Sequence, residues 1–75
     1  MPVKVETPIY DFYHRVIGFI ETDTRTGNKV AMDFYHRTLG FYEADLDATS
    51  DFYHRRIAHG DVTASLVMQE ASKNN

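Results

Sequence analysis

The chain has 75 residues, 43% of them hydrophobic, with a formal net charge of −3 and no cysteine. A chain this short allows one domain with a small core, burying only about 60% of its unfolded surface. The missing cysteine excludes disulfides and thiolate zinc sites, and the acidic balance argues against a nucleic-acid partner. No apolar run approaches membrane-spanning length and the first residues do not read as a signal peptide, so the default expectation is a soluble, cytoplasmic protein.

Val3-Lys4-Val5-Glu6 alternates apolar and charged, the pattern of a half-buried strand, and predicts a terminal strand over 2–6. Pro8 has no N–H to give a ladder and marks a strand edge or break. There follows a pentapeptide, Asp-Phe-Tyr-His-Arg, that recurs without change at Asp11 to Arg15, Asp33 to Arg37 and Asp51 to Arg55. Such identity is an internal repeat and governs the reading of everything around it. An aliphatic residue recurs two places after each Arg (Ile17, Leu39, Ile57), and a small residue follows it (Gly18, Gly40, Ala58). The copies lie 22 and then 18 residues apart, room for two short strands and two turns but not for a helical hairpin.

Each copy therefore reads as a β-hairpin. Asp suits the first position of a type I turn, where its carboxylate accepts a hydrogen bond from the backbone two residues on. Phe and Tyr then occupy the two central positions. His14, His36 and His54 fall where such hairpins need a positive φ, a place usually taken by Gly. The small residues at 18, 40 and 58 predict close approach of another backbone or a bend. The repeats run over about 8–23, 29–45 and 48–60, linked by loops at Asp23 to Asn28, where Gly27 supplies a left-handed residue, and at Asp45 to Asp47.

The segment 62–69 is ambiguous. Val62, Ala64, Leu66 and Met68 alternate and favour a strand, whereas Asp61 as an N-cap permits a short helix. Two β-branched residues tilt the reading to strand, and 71–75 reads as a frayed polar tail. The domain is then 1–70. With the terminal strands 2–6 and 62–69 forming a fourth unit, the expectation is an all-β, quasi-symmetric array of about four β-hairpins in a shallow closed or nearly closed barrel. Closure would remove exposed sheet edges.

Phe34-Tyr35-His36-Arg37-Thr38-Leu39-Gly40-Phe41 is similar to the Phe-Tyr-x-x-x-Leu-Gly-Phe signature of the glyoxalase/bleomycin-resistance superfamily, and Phe12 to Phe19 matches nearly as well. Copies 22 and 18 residues apart cannot each own the helix and three strands of that family's module, so the match is set aside. From Ile9 to about Met68 the chain resembles the four-fold β-flower family, small bacterial proteins of radially arranged hairpins with Asp-Phe-Tyr-Gly-Arg turns followed by an aliphatic-Gly-aromatic strand. Here His replaces Gly in all three copies. That resemblance implies a hairpin ring and no established activity; its shape invites comparison with lipid-associated domains, an analogy of fold alone.

Three sets of residues are candidates for a site. If His14, His36 and His54 converge, they could hold Zn²⁺ or Ni²⁺ with His59 as a fourth ligand, or act as a pH switch; otherwise each only fills a turn. Phe12, Tyr13, Phe34, Tyr35, Phe52 and Tyr53 at hairpin tips would make an apolar interaction surface. The shortage of other large apolar residues favours the opposite reading, turns folded inward with these rings as core. Asp11/Arg15, Asp33/Arg37 and Asp51/Arg55 read as local ion pairs or, more sharply, as a phosphate- or carboxylate-binding ring with the tyrosines. No catalytic pattern is visible. The functional expectation is a non-enzymatic binding or assembly module that forms a homo-oligomer, with a metal-binding module and a peripheral lipid-binding domain at a membrane surface as alternatives.

Overall fold

The computed structural model describes residues 3–73. Six strands form one antiparallel sheet in sequential order: β1 Lys4–Tyr10, β2 Val16–Asp23, β3 Lys29–Asp33, β4 Thr38–Glu43, β5 Ala48–Asp51 and β6 Arg56–His59. One helix, α1, follows at Thr63–Lys73. The three pentapeptides close the hairpins β1–β2, β3–β4 and β5–β6, so all three tips lie at one end of the sheet and the linking loops at the other. No described helix is long and apolar enough to cross a membrane.

Each hairpin carries a bulge at the same place. Ile9 pairs with Gly18 and Tyr10 with Val16; Ala31 pairs with Gly40 and Met32 with Thr38; Thr49 pairs with Ala58 and Ser50 with Arg56. The recurring aliphatic residue (Ile17, Leu39, Ile57) is the extra one in every case. A bulge bends and twists its strand, and here it does so three times in register.

The sheet is open, with β1 and β6 as edges and three hairpins rather than four. This corrects the expected ring. The separate strand over 2–6 does not exist: from Lys4 the chain runs unbroken through Pro8 to Tyr10. Met1 and Pro2 lie outside the described residues. Pro8 sits on an edge strand, where a residue without an N–H is tolerated, and it withdraws one donor from that edge.

The segment 62–69 is helix, not strand, and Ala71, Ser72 and Lys73 extend it where a tail was expected; Asn74 and Asn75 lie outside the described residues. Asp61 holds the helix start, its Oδ1 accepting from Thr63 N at 3.1 Å and from Thr63 Oγ1 at 2.6 Å. Thr63, Leu66, Val67, Glu70 and Ala71 are the wholly or partly buried positions of the helix, and their spacing is that of one helical face. A seventh edge strand would have left the face of β2, β3 and β4 bare. The helix crosses that face instead and buries Val67 completely against Ile20 and Ala31, with Ile9, Ile17, Leu39 and Leu66 around them.

The two glycines of the repeat make room for it. A methyl group on Gly18 would collide with the Met32 carbonyl oxygen and Val67 Cγ1; on Gly40 it would meet the Ser50 carbonyl oxygen and Leu66 Cδ1. Close approach was the expectation at both positions, and the approaching group is the helix as well as the neighbouring strand. The third repeat lies off the helix path, since α1 packs on β2, β3 and β4, and there the small residue is Ala58. In the first linking loop Gly27 has a φ of 81° and donates its N–H to the Asp23 carbonyl, the left-handed turn that its position called for.

The hairpin-tip edge as candidate functional site

Each pentapeptide closes on itself in the same way. In the first, His14 N donates to the Asp11 carbonyl at 3.0 Å, closing a turn with Phe12 and Tyr13 at its centre. Asp11 Oδ1 accepts from Tyr13 N at 2.8 Å and Arg15 N at 2.9 Å, and Oδ2 accepts from Arg15 Nε at 2.9 Å. The second and third copies repeat this set at Asp33 and Asp51. The three histidines have φ of 61°, 64° and 62°, as the turn chemistry requires. The Arg guanidinium then lies over the Tyr ring, with its carbon 5.2, 5.5 and 5.4 Å from the ring centre in the three copies. Phe meets Tyr edge-on in each.

The carboxylates are held ionised by this cage. At Asp11 and Asp51 the backbone N–H of the repeat's Arg is the largest influence; with the remaining hydrogen bonds it outweighs burial and holds the carboxyl below the usual range. At Asp33 burial is the largest influence and pushes the carboxyl up, yet the Arg37 and Tyr35 hydrogen bonds together win and hold it low.

The aromatic rings are outside. Phe12 is 91% exposed, and Tyr13, Phe34, Tyr35, Phe52 and Tyr53 are all exposed too. This corrects the reading that the turns fold inward to make the core. The core is built instead of small and aliphatic residues under the helix, which packs on β2, β3 and β4 and leaves the hairpin tips beyond it at the end of the sheet.

The histidines do not meet at one point. His36 stacks on Phe19 of the preceding hairpin, ring centres 4.2 Å apart and planes at 12°, and its Nε2 lies 3.2 Å from Glu6 Oε1. His54 stacks on Phe41 at 4.4 Å and 5°. His14 belongs to the first hairpin and has no stacked ring partner among the described residues. Among the described residues no group of three His, Cys, Asp or Glu side chains is placed to hold a metal ion.

This difference predicts an ordered mutant series. A non-Gly residue at positive φ costs of order 1 kcal/mol, and an aromatic pair returns about 0.5–1.5 kcal/mol. His14→Gly is therefore expected to stabilise the domain by up to about 1 kcal/mol, whereas His36→Gly and His54→Gly should each fall between a gain and a loss of about 0.5 kcal/mol. Urea unfolding midpoints of the three variants check the order; equal gains in all three would mean that the stacked rings contribute nothing.

Between the first and second tips and the C-terminal half of α1 runs an open groove of about 940 Å³. Tyr10, Phe12, Phe34, Tyr35 and Met68 give it an apolar wall. Its charged lining is Asp11, Asp33 and Glu70 against Arg15. Met68 and Glu70 have no counterpart among the residues expected from sequence to form a site: they reach the groove only because 63–73 is helix, and an Asp61 cap was the one signal for that.

Comparison with known protein families, with curated proteins and with solved structures finds no match. The chemistry of the tip edge is therefore the basis for a functional reading.

Proposed function

We propose that the protein is a small non-enzymatic binding and assembly module whose working surface is the edge formed by the three hairpin tips. The observation that carries this reading is the exposure of six aromatic rings along one edge. The central positions of a type I turn accept most residues, so the fold does not need Phe and Tyr there. Large exposed apolar patches on small proteins mark contact surfaces, and Tyr, Phe and Arg are the residues enriched at them.

The same edge also has the makings of an interfacial lipid surface, because every tip sets an exposed Phe and Tyr beside an Arg whose side chain is two-thirds or more exposed. Metal binding draws no support from the stacked histidines.

Replacing all three tip phenylalanines, Phe12→Ser/Phe34→Ser/Phe52→Ser, separates binding from folding. The triple variant is expected to keep its far-UV spectrum and a melting temperature within a few degrees, since the rings lie outside the core. It is expected to lose concentration-dependent self-association in sedimentation, or co-sedimentation with phosphatidylcholine/phosphatidylserine vesicles if lipid is the partner. A variant that stays folded and behaves as wild type in both assays would remove the tip edge as the working surface.

A further inference from the structure

We propose that two copies dock tip edge against tip edge about a two-fold axis, the third tip of each entering the groove between the first and second tips of the other. This deepens the reading of the tip edge as a binding surface and rests on it.

The groove and the third tip match in apolar character and are complementary in charge. Three carboxylates line the groove against one guanidinium. Two of them, Asp11 and Asp33, are tied to the arginines of their own turns. Glu70 forms no ion pair among the described residues, so the groove carries one uncommitted negative charge beside its aromatic wall.

The third tip carries the matching cation. Arg15 is followed by Val16 and Arg37 by Thr38, but Arg55 is followed by Arg56. Arg55 is spent on Asp51. Arg56 is exposed and forms no ion pair among the described residues. Phe52 and Tyr53, at the centre of the turn of the same hairpin, are exposed as well. The third tip is thus an aromatic knob with a free guanidinium, and the groove is an aromatic slot with a free carboxylate.

Knob and slot lie on the same edge, because the three turns share one end of the sheet. A surface that carries both is self-complementary: one rotation by half a turn puts each knob into the other copy's slot and closes the pair, with no surface left over to extend a filament. The slot lies between tips one and two and the knob is tip three, so the axis falls near the second tip and brings Phe34 and Tyr35 toward their own copies. The other route to self-assembly, strand addition at the sheet edges, is discouraged at both ends. Pro8 removes a donor from β1, and β6 has four residues; edge prolines and short edge strands are standard defences against such pairing.

The experiment is a charge-exchange cycle on the full chain, read by sedimentation equilibrium over a wide concentration range, with circular dichroism confirming the fold of each variant. Wild type is expected to form a dimer and no larger species. Arg56→Glu and Glu70→Arg should each weaken dimerisation by about tenfold or more, as truncation or reversal of an interfacial charge pair does. The double variant Arg56→Glu/Glu70→Arg should recover most of the loss, which a merely destabilised fold could not do. A wild-type chain that stays monomeric, single variants that dimerise like wild type, or a double variant no better than the singles would each overturn the proposal. The broader reading falls separately. If Phe12→Ser/Phe34→Ser/Phe52→Ser abolishes association or vesicle binding while the charge variants change nothing, the tip edge binds but not by this docking. If neither set has any effect, both are wrong.

Discussion

Gly18→Ala is expected to destabilise the domain by about 2–3 kcal/mol, the cost of overpacking a filled interior. The added methyl would run into the Met32 carbonyl oxygen on one side and Val67 Cγ1 on the other. Neither can yield cheaply. Met32 is paired to β2 through its backbone, and Val67 is fully buried and β-branched, so its one favoured helical rotamer is already fixed. A single core in a chain of this length rarely supplies more than about 3–5 kcal/mol, so this one methyl removes most of the margin, and a larger residue at 18 should leave the chain unfolded. Gly40→Ala is expected to cost less. Its nearest side-chain atom is Leu66 Cδ1, the end of a flexible side chain on a partly exposed residue. Thermal or urea unfolding of the pair checks the ranking. Equal and small losses would mean that α1 does not lie against β2 as described.

The second large effect is expected at Asp33. Asp33 is 4% exposed, and its carboxylate accepts three hydrogen bonds, from Tyr35 N at 2.8 Å, Arg37 N at 2.9 Å and Arg37 Nε at 2.7 Å. Asp33→Ala leaves those donors without their acceptor and is expected to cost about 2–3 kcal/mol. Asp33→Asn keeps an acceptor oxygen for the two backbone N–H groups and should lose less. Asp11→Ala and Asp51→Ala remove the same bonds from more exposed turns, where water replaces the carboxylate, and should be milder still.

The same cage sets a pH dependence. The folded-state carboxyl of Asp33 is held below its ordinary value of 3.8. Its contribution to stability is therefore fully present above the unfolded pKa and is lost as pH falls through the folded one. Wild type should lose stability below about pH 4, and Asp33→Asn should show a flatter acid limb, because its amide does not titrate. An acid limb unchanged by Asp33→Asn would show that the carboxylate is not held low.

Between them these two positions separate what is local from what is not. The turns were legible because every interaction that makes them lies within five residues. One carboxylate binds the N–H groups two and four places on, and His takes the left-handed position left at the end of the turn. Nothing distant is needed, so three identical pentapeptides must give three identical turns, and the antiparallel hairpins follow. The small residue after each aliphatic also announced a close approach, although not what approached.

The remainder depended on contacts that no short window contains. Residues 62–69 satisfy a period of two and a period of 3.6 about equally well. The choice was made by the bare face of β2, β3 and β4, which a helix carrying Leu66 and Val67 can cover and an edge strand cannot. That choice removed the seventh strand and so left the sheet open. It also placed Met68 and Glu70 beside the first two tips and created the groove. Whether Phe and Tyr of the repeat face in or out was equally beyond the pentapeptide, whose hydrogen bonds are the same either way. Sequence alone set the chain reversals, because their determinants are adjacent in the chain; tertiary structure decided the helix, the open edges and the exposed aromatic rim, because burial is settled by partners that only folding brings together.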